Sequence, residues 1–256
     1  MRDDLALLDA DLQGLPTLDA CLDRVLDAAR ALGVRALVYD YAPVPLGLDG
    51  ELITPSVFVQ RNAPADMQQV WCEHGYYQHD PVQQRACRRS APFLWSYRPL
   101  PPGPRRDYLG DLHRPVTRYL CERGMGAGLT VPLHLPGGAL ATFTGVVDGD
   151  LPPETALQQA ERSQGAFLLL AHAFQARAQD LLDARQRRCA QIVLTRRERE
   201  CLQHSARGLT AKAIAAALNR SVATVNLHLN SAARKLGARN RVDAVVRGLH
   251  YRLLEP

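Results

Sequence analysis

The sequence predicts an α+β protein of two domains: an N-terminal α-β-α sandwich around an antiparallel sheet, then a C-terminal all-α unit of four helices built as a helix-turn-helix. Three observations carry this. A length of 256 residues with 46% hydrophobic content exceeds one ordinary domain and suffices for two cores. Alternating apolar runs occur only in the first part of the chain, framed by segments of helical spacing. The charge is also divided: residues 192–256 hold twelve Lys and Arg against four Asp and Glu, a balance of +8, while the remainder carries −3. A small basic unit on a weakly acidic body suits a polyanion partner.

Element by element, residues 1–32 read as helices. The run "LDACLDRVLDAARALG" repeats apolar residues at three- and four-residue spacing and stops at Gly33, a natural C-cap. "VRALVYDYAP" (34–43) and "PSVFVQRN" (55–62) are short strand-like runs bounded by Pro or Gly. Helical spacing returns over 64–75 and ends at Gly75. Residues 98–106, "RPLPPGPRR", read as a proline-rich loop, and 115–126 as a helix ending at glycine. Residues 128–149 form a hairpin joined at Gly137-Gly138, and 154–182 a long helix. The domains are placed at 1–176 and 192–256, with a polar, charged linker over 177–191.

The tail is legible in its caps. Thr195 with Glu198 three residues on is a capping box. Thr210, Ser221 and Asn240 each precede a further helical run. Ala213, Ala216 and Ala217 are small enough for close helix packing. On the third helix, Val222, Val225, Leu229, Ala232 or Ala233, and Leu236 form the apolar stripe, and Thr224, Asn226, Asn230, Ser231 and Arg234 the polar face. Asn pairs bidentately with adenine, and Ser or Thr with phosphates or base edges. That face therefore suits a recognition helix in a major groove, flanked by Lys235.

Other classes are narrowed by simple features. The start, "MRDDLALLDADL", is acidic and lacks a basic region before an apolar run. The apolar stretch "AFLLLAHAF" (166–174) is about half the roughly 20 residues a membrane helix needs. A soluble, cytoplasmic chain without a membrane partner is expected. Its six cysteines are scattered, without a C-x-x-C pair, as in a reducing compartment. No cofactor is expected.

One stretch concentrates chemistry: "QQVWCEHGYYQHDPV" (68–82). Metal binding is disfavoured, since Cys72 and His74 diverge by roughly 200° on a helix and no regular ligand spacing appears. A Cys72 nucleophile lacks an accompanying oxyanion glycine motif, and no enzyme is expected. The readings left are plain aromatic core or the wall of a pocket. Met67 and Trp71 share a helix face. Asp80, before Pro81, is pushed into extended backbone, which lets its carboxylate point inward.

Residues 192–254 resemble the DNA-binding domain of LuxR-type transcription regulators. The matching pattern is L-T-x-R-E at 194–198, Leu202, G-L-T at 208–210, K-x-I-A at 212–215, T-V at 224–225, H-L at 228–229 and K-L at 235–236. The resemblance implies structural roles for Glu198, Leu202 and Gly208, base reading by Asn226 and Asn230, and phosphate contacts from Lys212 and Lys235. It also implies a dimer seam on the last helix, at Val242, Val245, Val246 and Leu249. No lysine precedes Lys212, unlike phospho-receiver domains. Asp80-Pro81, Trp95 fifteen residues on, and G-x-x-x-G-x-T-x-P from Gly124 through Gly128 to Pro132 instead resemble the autoinducer-binding domain of the same regulators.

That second resemblance implies a ligand site of Met67, Trp71, Asp80, Trp95 and Gly128, with Asp80 accepting a ligand N–H and Gly128 allowing close backbone approach. Met67 stands where the family's Trp donates to a lactone carbonyl, and Trp71 where its Tyr stands. A carbonyl left without that donor costs roughly 1–3 kcal/mol. The Met67/Trp71 pair resembles a solo branch in plant-associated bacteria. The expectation is a homodimeric regulator that senses a small plant-derived amide or amine and binds a palindromic double-stranded operator. The alternatives are an acyl-homoserine-lactone receptor and a ligand-free interaction module.

Overall fold

The computed structural model describes residues 2–98, 110–147, 152–189 and 191–255. The proline-rich segment lies almost wholly outside the described residues, as do the last two residues of the hairpin. Two compact units emerge, Met1–Asp183 and Ala184–Pro256.

The first unit contains α1 (Arg2–Gln13), α2 (Leu18–Arg30), β1 (Ala36–Ala42), β2 (Val57–Arg61), α3 (Met67–Cys72), α4 (Pro81–Ala86), β3 (Phe93–Ser96), α5 (Arg114–Glu122), β4 (Ala127–His134), β5 (Leu140–Val146) and α6 (Pro153–Leu181). The strands form one antiparallel sheet in the order β2-β1-β5-β4-β3. Gly137 and Gly138, at φ of 76° and 85°, turn β4 into β5 as the sequence predicts, because only glycine adopts that backbone without strain.

Two-residue alternation sorts the side chains onto the two faces. Leu37, Tyr39, Tyr41, Leu129, Val131, Ala141 and Phe143 belong to a core shared with residues of α1, α2 and α6. Ala36, Val38, Trp95 and Val146 belong to a second core shared with α3, α4 and α5. Both faces are therefore covered, and β1, β5 and nearly all of β4 are buried throughout. Tyr39 bridges to α6, its hydroxyl donating to Gln175 Oε1 at 3.0 Å.

The structure adds two elements to the predicted order. β3 is only four residues long, and α4 is six; neither is long enough for periodicity to reveal it. The segment 64–75 contracts to the short α3, with Gly75 at φ 78° turning the chain away.

The predicted boundary at 176 also moves. α6 continues to Leu181 because Ala178 and Leu182 still bury against the sheet-facing core, and Arg177 donates to Leu15 O at 2.7 Å. The far end of the predicted linker belongs to the second unit: Cys189 is buried and its N–H meets Tyr251 O at 3.3 Å.

The second unit holds α7 (Arg196–Ala206), α8 (Ala211–Leu218), α9 (Val222–Lys235) and α10 (Arg241–His250). The four predicted caps are in place. Thr195 and Glu198 exchange side-chain-to-backbone bonds at 3.2 and 2.7 Å. Thr210, Ser221 and Asn240 accept from the amides of Ala213, Thr224 and Asp243. The core gathers Leu202, Ile214, Val225, Ala232, Leu236 and Ala244. Gly208 ends α7 at φ 83°.

Two inward assignments fail, and one outward assignment turns partly in. Ala213, Ala216 and Ala217 are exposed, since α8 needs only Ile214 and Ala215 to seat itself. Val222, in the first turn of α9, lies beyond the core and is 42% exposed. On α10, Val242, Val246 and Leu249 are exposed as predicted for a seam, but Val245 turns partly inward against the unit's own core. Among the described residues no helix is long and apolar enough to cross a membrane.

Candidate ligand cavity and nucleic-acid interface

The cavity forms on the sheet face that carries polar residues. Alternation puts Asp40, Thr130, Thr142 and Thr144 on the α3/α5 side, in a layer that would otherwise be apolar. α3 contributes Met67 and Trp71, the start of α4 contributes Val82 and Gln83, β3 contributes Trp95, and Tyr97 follows it. With Val38, Asp80, Leu120, Met125, Thr144 and Val146 they line a narrow, tightly packed cavity with about 30 Å³ of free space, room for a water or two until its walls part for a ligand.

Four of the five predicted ligand residues line this cavity. Gly128 does not. It pairs across the sheet with Trp95, and a Cβ there would lie 2.6 Å from Trp95 Cζ2 and 2.7 Å from Gly145 O. The bare backbone makes room for a tryptophan ring and a neighbouring strand, and only through that ring does Gly128 shape the cavity.

Asp80 is the carboxylate of the lining. Its backbone is extended, and Oδ1 caps α4 by accepting Val82 N–H at 2.9 Å. Tyr97 O–H donates to the same oxygen at 3.1 Å, and Trp71 Nε1–H to Oδ2 at 3.3 Å. Burial pushes its carboxyl up to about 6, against the opposing pull of Val82, Tyr97 and Trp71. Trp95 Nε1–H is likewise engaged, donating to Thr130 Oγ1 at 3.0 Å, and Thr130 pairs with Thr144 at 2.9 Å. Both indole N–H groups of the protein are thus held by protein oxygens.

A second buried carboxylate was not singled out from the sequence. Asp40, at the centre of β1, is wholly buried. It accepts from Tyr77 O–H at 3.2 Å, from Gln83 Nε2 at 2.8 Å and from the Thr142 hydroxyl. Burial pushes it up to about 7, only partly offset by Thr142, Tyr77 and Gln83, with Asp80 adding to the rise. The signal was present as one carboxylate inside the apolar run "ALVYDYA"; which face it took required the sheet. Tyr97 was missed because it follows a strand too short to recognise.

The histidines of the stretch 68–82 and its one thiol, Cys72, take no part in the lining. Burial pushes Cys72 up to about 11, with Asp40 and Glu73 adding to the rise, and Cys87 likewise to about 11. A thiol held there is not a thiolate at neutral pH.

These carboxyls give a pH prediction. Asp40 and Asp80 each hold a proton more tightly folded than at their ordinary value of 3.8. Between about pH 4 and 7 the folded state therefore binds more protons than the unfolded one, and stability falls as pH rises. Above about 7 the contribution is flat. Both tryptophans, Trp71 and Trp95, lie in the first unit, so melting followed by indole fluorescence reports that unit. We expect its melting temperature to decline from pH 5 to 7 and the decline to shrink in Asp40→Asn. Equal pH slopes in the two proteins would show that Asp40 is already ionised in the folded state.

In the second unit, Asn226, Asn230, Arg234 and Lys212 are exposed, and Thr224 is half-buried beside its cap partner Ser221 at 2.8 Å. Ser231 leaves the predicted polar face: its hydroxyl donates to Glu198 Oε1 at 2.8 Å. Lys235 also turns to Glu198, at 2.8 Å, so its ammonium ties α9 to α7. Burial would raise the Glu198 carboxyl, but Lys235, the Thr195 amide and Ser231 outweigh it and hold the group at about 2.

A narrow buried cavity with a carboxylate in its wall and a capped, basic helix-turn-helix are the parts of a ligand-responsive DNA-binding regulator. Residues 17–178 match the family described as "Autoinducer binding domain", and residues 192–247 match "Bacterial regulatory proteins, luxR family". The quorum sensing-dependent transcriptional regulator RpaR of Rhodopseudomonas palustris is 32% identical over 200 residues, covering 78% of this chain and 76% of that protein. The transcriptional activator BjaR1 of Bradyrhizobium diazoefficiens is 32% identical over 198 residues, covering 75% and 74%. The fold is shared with Escherichia coli SdiA, at a TM-score of 0.54 and 18% identity over 99% of both chains. The chain belongs to the LuxR family of transcription regulators with an autoinducer-binding domain.

Proposed function

We propose that the protein senses a small amide or amine, of plant origin or related chemistry, in the cavity beside Asp80. In this reading it binds a pseudo-palindromic operator as a homodimer. One observation carries the ligand class: the indole N–H groups of Trp71 and Trp95 are both spent on protein oxygens, and Met67 has no N–H to give. A lactone carbonyl would thus enter without an indole donor, whereas the Asp80 carboxylate is suited to accept a ligand N–H.

Exposed Asn226, Asn230 and Arg234 on α9, with Lys212 nearby in sequence on α8, support major-groove reading with phosphate contacts. The exposed row Val242, Val246 and Leu249, 72%, 52% and 39% accessible, supports a dimer seam on α10. Ligand binding would stabilise the first unit by mass action and bias a DNA-competent dimer.

Melting of the full chain against two panels tests the ligand class: acyl-homoserine lactones, and small amides and amines from plant tissue. A ligand at a hundredfold excess over its Kd adds about 2.7 kcal/mol, a rise of several degrees. The rise is expected from the second panel alone, with a lactone response appearing in Met67→Trp. Lactones stabilising the unmodified protein would overturn the amide reading in favour of a lactone receptor.

A further inference from the structure

We infer that the ligand carries a second hydrogen-bond donor, received by the side-chain oxygen of Gln83. This rests on the amide or amine reading of the cavity and specifies it further.

Gln83 lines the cavity and is 4% exposed, yet its Oε1 is buried with no hydrogen-bond partner among the described residues. A buried acceptor without a donor is rare and disfavoured. The orientation of the amide follows from its neighbours. Nε2 donates to Asp40 Oδ2 at 2.8 Å and to Thr142 Oγ1 at 3.1 Å. Thr142 gives its only hydroxyl proton to Asp40, so it must accept from Gln83. With Asp40 ionised, above about pH 7, turning the amide over would set its oxygen against a carboxylate oxygen and a committed hydroxyl. Both amide hydrogens are therefore engaged, and the Asp40 network fixes Oε1 as the idle end.

Gln83 is one helical turn from Asp80, and the two acceptors belong to one cavity. The complementary ligand has one N–H for the carboxylate and another N–H or O–H for Gln83. A simple alkyl amide satisfies only the first. An N-acyl amino amide or a hydroxylated amide satisfies both.

The test measures binding of three probes to the full chain by titration calorimetry: N-hexanoyl glycinamide, N-hexanoyl glycine methyl ester and N-hexanoyl homoserine lactone. The first two share the inner N–H and both carbonyls and differ only at the terminal group, a donor in one and an acceptor alone in the other. The glycinamide is expected to bind on the order of 10-fold tighter or more, and this preference is expected to disappear in Gln83→Met. Equal binding of glycinamide and ester, or a preference that survives Gln83→Met, overturns the role of Gln83 while leaving the amide reading intact. Binding of the lactone alone, or of no probe, overturns both. If Gln83→Met fails to fold, the N,N-dimethyl glycinamide replaces it in the unmodified protein. That probe keeps the amide carbonyl and lacks the donor, and it is expected to bind as weakly as the ester; binding equal to the glycinamide overturns the inference.

Discussion

Asn in place of Asp80 is expected to weaken signal binding by about 10- to 100-fold while leaving the receptor unit folded. The separation comes from the three bonds Asp80 makes. Oδ1 takes both the Val82 amide and the Tyr97 hydroxyl, and an Asn oxygen in that position preserves them, Asn being as good an N-cap as Asp. The Asn nitrogen then faces the Trp71 indole N–H, which reached Oδ2 at 3.3 Å; that donor pair is the local penalty. Against it stands the removal of a buried carboxyl pushed up to about 6 by its surroundings. Melting is thus expected to change by a few degrees at most. The ligand loses an anionic acceptor, and hydrogen bonds to charged groups contribute roughly 1.5–3 kcal/mol, hence the stated range. Melting and calorimetric titration on the same preparation check both halves. Unchanged affinity would show that the carboxylate serves the protein alone.

The second large effect belongs to Glu198. Its buried carboxylate closes the α7 capping box, takes the Ser231 hydroxyl and takes the Lys235 ammonium. One side chain therefore joins the start of α7 to the last turns of α9. Glu198→Ala removes a cap interaction of about 1 kcal/mol and charge-assisted bonds of roughly 1.5–3 kcal/mol, together on the order of 3 kcal/mol. For a unit of this size that lowers melting by on the order of 15 °C. Helical circular dichroism is expected to reveal this early transition and loss of DNA binding with it, while indole fluorescence from the first unit stays unmoved. Glu198→Gln should fall between the two. With its carboxyl held at about 2, this stabilisation is present above the ordinary 4.5 and is lost as pH falls towards 2, opposite in sign to Asp40. A single coincident transition by both probes would show that the units do not melt separately.

The elements were legible where a local rule governs them. Caps at Thr195, Thr210, Ser221 and Asn240 are read from one residue and the amide three positions on. The Gly137-Gly138 turn and the two-residue alternation of β1, β4 and β5 are equally local. The resemblance carried the pocket: Met67, Trp71, Asp80 and Trp95 do converge on one cavity. What failed lay at the edges of elements or in choices between two faces. β3 and α4 were too short to show a period. Val222 and Val245 sit on helices whose stripe is right but whose contact with the core ends earlier or turns further. Ser231 has the chemistry for phosphate and was drawn inward by Glu198, more than thirty residues away, while Lys235 meets the same carboxylate and stays exposed.

By itself the sequence determined the two units, the order of their long elements and the family, because each depends on neighbours within a few residues or on a recurring pattern. Only the tertiary structure decided which polar groups are buried together. Asp40, Gln83 and Thr142 are separated by up to 102 positions and meet through the β1–β5 register and the docking of α4. The β3–β4 register set Gly128 under Trp95, and the indole hydrogens of Trp95 and Trp71 are spent on Thr130 and Asp80 before any ligand arrives. A hydrogen bond needs its donor and acceptor within about 3 Å, and no periodicity along a chain specifies distances of that kind across a sheet.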